Sequence, residues 1–186
     1  MSFFDDFPPP SPEPAPKRIR RNPWDGPPSG WIAGWVPTRI HVVKSPEMLV
    51  QFDGFDAYPS GCAFSVDIQL TTPFRSKEPF SIEAEPRFGI AFSDGRRGSS
   101  SFIKYRPSAD PDHPVLIRNG ASYDSFHYVG TLWLWPLPPP GRLILHMVWP
   151  KAGLPETSVQ IADGSTLQQA AEEAEQLWEI EGAGDV

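Results

Sequence analysis

The side chains with the clearest chemistry are few and widely spaced. Cys62 is the one cysteine, and the four histidines are His41, His113, His127 and His146. Nucleophilic catalysis needs a serine or cysteine beside a base that is itself oriented by an acid. No G-x-S-x-G element is present to hold a serine on a strand-to-helix elbow. Cys62 stands between Gly61 and Ala63 at the start of an apolar–polar alternation, where a small strand-edge residue is expected. A metal site needs clustered His, Cys or carboxylate ligands, and the histidine spacings match no such set. Neither a metal nor a cofactor is expected. Asp53, Asp56, Asp67 and Asp124 would support acid–base hydrolysis only at a defined carboxylate separation, which spacing along the chain does not set.

Two other groups of residues point to binding. Asp94-Gly95-Arg96-Arg97-Gly98-Ser99-Ser100-Ser101 places two arginines between glycines and ahead of three hydroxyls. Such a turn can cradle a phosphate or carboxylate through Arg96, Arg97, Ser99 and Ser100, although it lacks the lysine and spacing of a P-loop. With His127 or His146 as a base it would become a hydrolytic or small-ligand site; as a solvated hairpin tip it needs no ligand. The second group is aromatic. Trp133 and Trp135 share one strand face while Leu132 and Leu134 take the other, which fits core packing or an aromatic surface for a peptide, sugar or proline-rich ligand. Phe3, Phe4 and Phe7 alternate with Asp5 and Asp6 ahead of a proline run, the pattern of a short docking motif. Lys17-Arg18-Ile19-Arg20-Arg21 adds a basic knot for an acidic surface or nucleic acid.

The elements that must position these residues are strands. From Cys62 to Thr71 the even positions Phe64, Val66, Ile68 and Leu70 are apolar and the odd ones include polar Ser65, Asp67, Gln69 and Thr71, the period of a strand with one dry face. Similar runs cover Ile40–Lys44, Met48–Asp53, Arg87–Ser93, Ser100–Arg106, Val115–Arg118, Phe126–Trp135, Arg142–Trp149 and Thr157–Ile161. About nine strands with no helical pattern between them argue for an antiparallel β-sandwich or barrel, and a sandwich is expected here. Asp94-Gly95 predicts a hairpin. The Pro136–Gly141 connection predicts a second hairpin, between the strands ending at Trp135 and starting at Arg142. One helix is expected over 165–179, with Ser165 as N-cap, Gln168 closing a capping box, and Leu167, Ala170, Ala171, Ala174, Leu177 and Trp178 on one face.

Length and composition complete the expectation. The 186 residues argue for one domain with a self-sufficient core. Nine of the 24 prolines fall in the first thirty residues, so 1–30 reads as a disordered proline-rich tail, 31–180 as the sandwich with its helix, and 181–186 as a flexible end. The stretch from Trp24 to Trp35, across the end of the tail, is expected to dock on the body and to mark where order begins. The net charge of -7 resides in residues 163–186, which carry seven acids and no base; the remainder balances. A neutral body is not expected to bind nucleic acid. The chain shows no apolar span of membrane length and no secretory signal pattern, and a lone thiol suits a reducing compartment, so a cytoplasmic setting is expected.

Trp135-Pro136-Leu137-Pro138-Pro139-Pro140-Gly141-Arg142-Leu143, Trp149-Pro150, Gly153-Leu154-Pro155-Glu156, Pro27-Pro28-Ser29-Gly30-Trp31 and Phe92-Ser93-Asp94-Gly95-Arg96 together resemble a family of uncharacterised proteins from high-GC Gram-positive bacteria. The resemblance spans roughly residues 23–178. It implies a bacterial cytoplasmic protein and assigns no residue a role. The expectation is a non-enzymatic interaction module that docks a protein partner through Phe3, Phe4 and Phe7 or through an aromatic surface at Trp133 and Trp135. The competing expectation is a small-ligand, anion-binding or hydrolytic domain at the arginine turn.

Overall fold

The computed structural model describes residues 22–73, 85–100 and 111–178. The chain forms an antiparallel β-sandwich. One sheet has five strands, in the order β2 (Gly34–Lys44), β3 (Met48–Tyr58), β4 (Gly61–Leu70), β8 (His127–Trp135) and β7 (Val115–Tyr123). The facing sheet has four, in the order β10 (Leu154–Asp163), β9 (Arg142–Trp149), β5 (Arg87–Ala91) and β6 (Arg97–Ser99). One helix, α1 (Gly164–Glu172), closes one end, and a two-stranded ribbon joins β1 (Trp31–Ile32) to β11 (Glu175–Gln176). No helix among the described residues is long and apolar enough to cross a membrane.

The alternation read from the sequence becomes the core directly. Val50, Phe52, Phe64, Val66, Ile68, Tyr128, Leu132 and Leu134 line the inner face of the five-stranded sheet. Phe88, Ile90, Leu143, Leu145, Met147 and Trp149 line the inner face of the other. Across the gap the Tyr128 and Trp149 rings meet edge to face with centroids 5.9 Å apart. The Tyr128 hydroxyl accepts from Arg118 Nη1 at 3.2 Å, and Arg118 also pairs with Glu85 at the entrance to β5. Burial raises the Tyr128 hydroxyl above the ordinary phenol range.

Several expectations change. Residues 126–135 and 142–149 do not form a hairpin: β8 pairs with β4 and β7, whereas β9 pairs with β10 and β5. The proline-rich connection crosses from one sheet to the other. Prolines have no amide proton to contribute to a ladder, and their carbonyls here serve as acceptors for other elements. Ser93 Oγ donates to the Pro140 carbonyl at 2.6 Å, and Gln168 Nε2 to the Pro138 carbonyl at 2.9 Å. Gln168 therefore does not close a capping box. The N-cap is Asp163 rather than Ser165; its Oδ1 accepts from the amides of Ser165 (2.8 Å) and Gly141 (3.2 Å), which holds the carboxyl below its usual range.

The helix ends at Glu172, short of the expected 179. Glu172, Glu173 and Glu175 gather at its negative dipole end with no basic residue in the last turn, an unfavourable arrangement for further turns. The chain instead pairs Glu175 and Gln176 with Ile32 and Trp31. Leu177 and Trp178 are half-exposed rather than on a buried helical stripe. The Asp94-Gly95 hairpin forms, with Arg97–Ser99 returning beside β5; of the expected return strand Ser100–Arg106, residues 101–106 lie outside those described.

Helix α1 docks through small residues. Ala170 and Ala171 pack on Ala57, and Leu167 is fully buried in the main core. Gly34 lets the backbones touch: a Cβ there would lie 1.7 Å from the Ala170 carbonyl oxygen. Gly34→Ala should therefore destabilise the fold by about 1–3 kcal/mol through overpacking, and Leu167→Ala by about 2–5 kcal/mol through the cavity it leaves. Urea unfolding midpoints measure both; unchanged midpoints would mean that the helix is not held at this junction.

Candidate binding face

Strand alternation that turns the apolar side chains inward turns a second set out onto the far face of the five-stranded sheet. Register aligns that set in rows. Trp35, Asp56, Ala63, Trp133 and Ile117 lie side by side on β2, β3, β4, β8 and β7. Arg39, Asp53, Ser65 and Thr131 form the next row, and His41, Gln51, Asp67, Val129 and Ser122 the one after.

The first row is aromatic and is already partly covered. Trp133, expected as a partner-facing residue, is fully buried, which corrects that expectation. Its Nε1 donates to the Pro23 carbonyl at 3.1 Å, and its ring meets Tyr58 edge-on at 5.9 Å. Trp135 is half-buried, with the Trp24 ring against it at 5.7 Å. Residues 22–26 thus lie on the outer face as the docking expectation for Trp24 required, and the folded unit starts before residue 31.

The open end of this row is Trp35, 55% exposed. Its indole lies over Gly54, where a Cβ would stand 1.9 Å from the ring. Gly54 has a φ of +48° at a register irregularity between Asp53 and Phe55. That left-handed backbone, free of a side chain, is what lets the indole lie down on the strand.

Polar side chains flank the indole. Partial burial pushes the Asp56 carboxyl above its ordinary range. The Tyr58 hydroxyl is also raised, by burial first and then by the Asp56 charge. Arg39 Nε donates to Asp53 Oδ1 at 2.5 Å. Gln51 Nε2 sits between two carboxylates, 3.5 Å from Asp53 Oδ2 and 3.4 Å from Asp67 Oδ2. His127 Nε2 faces Asp67 Oδ1 at 2.9 Å, a contact in which the ring nitrogen donates. Asp124 accepts from the amides of Phe126 and His127 in a tight turn, which holds its carboxyl low and sets the start of β8. The result is a ladder of donors and acceptors in fixed geometry beside a flat apolar platform.

The arginine turn divides. Arg96 is neutralised by Asp94 at 2.8 Å and lies over the Phe92 ring at 5.2 Å. Ser100 Oγ accepts from the Phe88 amide at 3.1 Å. Arg97 and Ser99 stand instead on the outer face of the four-stranded sheet, opposite Ala91 and Gly89. There Gly89 also neighbours His146, whose Nδ1 is 2.7 Å from Ser158 Oγ. The four residues named from the sequence do not converge. Phe3, Phe4 and Phe7 lie outside the described residues. Among the described residues no three His, Cys, Asp or Glu side chains are grouped to hold a metal ion. Cys62 is fully buried and its thiol is pushed far up by desolvation, which makes it a poor nucleophile.

Sequence reasoning missed Trp35, Asp56 and Tyr58 as a group. The available signal was Gly54 inside an alternating strand, a mark of a bulge or close approach; nothing in the spacing named Trp35 as the group that approaches. With this geometry the molecule is an antiparallel sandwich carrying an aromatic–acidic sheet face. No protein-family model, no curated protein and no solved structure matches the chain.

The raised Asp56 carboxyl has a definite thermodynamic sign. The folded chain holds that proton more tightly than the unfolded chain does, so its contribution turns unfavourable as pH rises from the unfolded value, about 3.9, through the folded one. Asp56→Asn should therefore be more stable than wild type at pH 7, and the advantage should shrink toward pH 3. Thermal unfolding at both pH values reads this; an advantage that grows on acidification would show the opposite shift.

Proposed function

We propose that the protein is a non-enzymatic interaction module of the bacterial cytoplasm, and that its working surface is the outer face of the five-stranded sheet around Trp35. The carrying observation is the Trp35 indole, packed against Gly54 and half open to water, with Asp56, Tyr58, Asp53 and Arg39 on the neighbouring positions of the same face. Covering that ring would return roughly 25 cal/mol for each Å² of apolar surface removed from water. Tryptophan, tyrosine and arginine are the residue types that most often dominate binding energy. Asp56 fits the same reading: a charge held where partial burial opposes it is an expense to stability that binding can explain. The buried, inert Cys62 agrees with a reducing compartment.

Trp35→Ala should lower partner affinity on the order of tenfold or more, while loss of the half-buried ring's packing on Gly54 lowers folding stability by about 0.5–3 kcal/mol and leaves the protein folded. Capture from native lysate, quantified for wild type, Trp35→Ala and a Trp178→Ala control at the half-exposed β1–β11 ribbon, makes the comparison. Retention of the same partner by Trp35→Ala, with loss in the control, would move the surface to the ribbon.

A second reading rests on a different face. Arg87, Gly89 and Ala91 alternate outward on β5, with Arg97 and Ser99 beside them on β6 and His146 on β9. Two exposed arginines around a side-chain-free glycine form a place for a small anion. A thermal shift with inorganic pyrophosphate that disappears in Arg97→Ala would favour it.

A further inference from the structure

The chain carries its own candidate ligand for the Trp35 face. Residues 8–21 read Pro8-Pro9-Pro10-Ser11-Pro12-Glu13-Pro14-Ala15-Pro16-Lys17-Arg18-Ile19-Arg20-Arg21, a proline run that ends in four basic side chains. The face offers matching chemistry. Its three rows carry the carboxylates Asp53, Asp56 and Asp67 against one guanidinium, Arg39. A proline-rich strand fits an aromatic platform because its extended conformation is already set, so little entropy is lost on docking. Arginine can pair with the carboxylates and stack on an indole.

Continuity supplies the second argument. The described chain begins at Asn22, on this same face. Gly26 lies beside Asn119 of β7, and the Pro23 carbonyl lies on Trp133 of β8. Traced toward the N-terminus, the chain therefore crosses from above β7 to above β8, and β4, β3 and β2 come next in the sheet. Trp35 is three strands from Trp133, about 14 Å at the usual spacing. About five residues of extended proline-type chain span that distance. The chain between Pro23 and residues 16–21 is long enough for Arg20 and Arg21 to reach Asp56 and Asp53 and for Pro16 to reach Trp35.

We propose that residues 8–21 dock intramolecularly on the Trp35–Asp56 face, so that an external partner must displace the chain's own proline-rich, basic segment. The inference rests on the binding face proposed above. It adds the occupant: a self-ligand held by proline stacking and by arginine–carboxylate pairing, and therefore weakened by salt.

The test uses the full-length chain. Cys62 is buried and unreactive, so Ser11→Cys accepts a nitroxide label at one position. In the 15N-labelled protein the Trp35 indole and the Tyr58 and Ser65 amide signals should lose most of their intensity. Those of Ile144 and Gln160, on the opposite outer face, should keep theirs. Replacing Lys17, Arg18, Arg20 and Arg21 with Glu should restore the lost signals. Full intensity at Trp35, or equal loss on both sheets, overturns the proposal. Loss seen when nitroxide-labelled 14N chain is mixed with label-free 15N chain assigns the segment to a neighbouring copy and overturns the intramolecular form. The lysate comparison with Trp35→Ala is independent: partner loss there together with full signal intensity here leaves the binding face standing and removes only the self-ligand.

Discussion

Everything in this molecule depends on the closure of two alternating sheets over one apolar layer. The edge-to-face contact of Tyr128 with Trp149 marks its centre, 5.9 Å between rings drawn from opposite sheets. Tyr128 brings a hydroxyl into that layer, and a buried hydroxyl needs a partner. Arg118 supplies it from β7 and is balanced by Glu85 at the start of β5. The polar spine thus binds the edge of one sheet to the entrance of the other, where a purely apolar contact would leave their relative position less defined.

Closure of the core also explains the outer face. A strand cannot turn one set of side chains inward without turning the next set out, so Phe52 and Val66 inside require Asp53, Gln51, Ser65 and Asp67 outside. The irregularity at Gly54 alters this simple alternation at one place and allows Trp35 to lie across the strand. On the same surface, residues 22–26 cover Trp133.

The strands were legible because period-two alternation is local. Phe64, Val66, Ile68 and Leu70 announce β4 without reference to any partner strand, and Arg142–Trp149 was legible to the residue. The misassigned features all depend on distant groups. Pro136–Gly141 has the length of a hairpin loop, yet its carbonyls are claimed by Ser93 and Gln168 from other elements. The pattern Leu167 to Trp178 has helical spacing throughout, yet the last turns lose to a ribbon with Trp31 and Ile32, far away in sequence. Arg96 and Arg97 are adjacent in the chain, but a local ion pair takes one and strand alternation turns the other to a separate face.

The sequence by itself determined the class of fold, the strands, the single helix near the C-terminus and the division between a neutral body and an acidic end, because each follows from composition or from periodicity over a few neighbouring residues. Tertiary structure alone decided which sheet each strand joined, that Trp133 is interior while Trp35 is open, and that Asp53, Asp56 and Asp67 share a face with that indole. Register, crossover and cover are set by contacts between residues tens of positions apart, and a one-dimensional pattern carries no record of which distant backbone will approach.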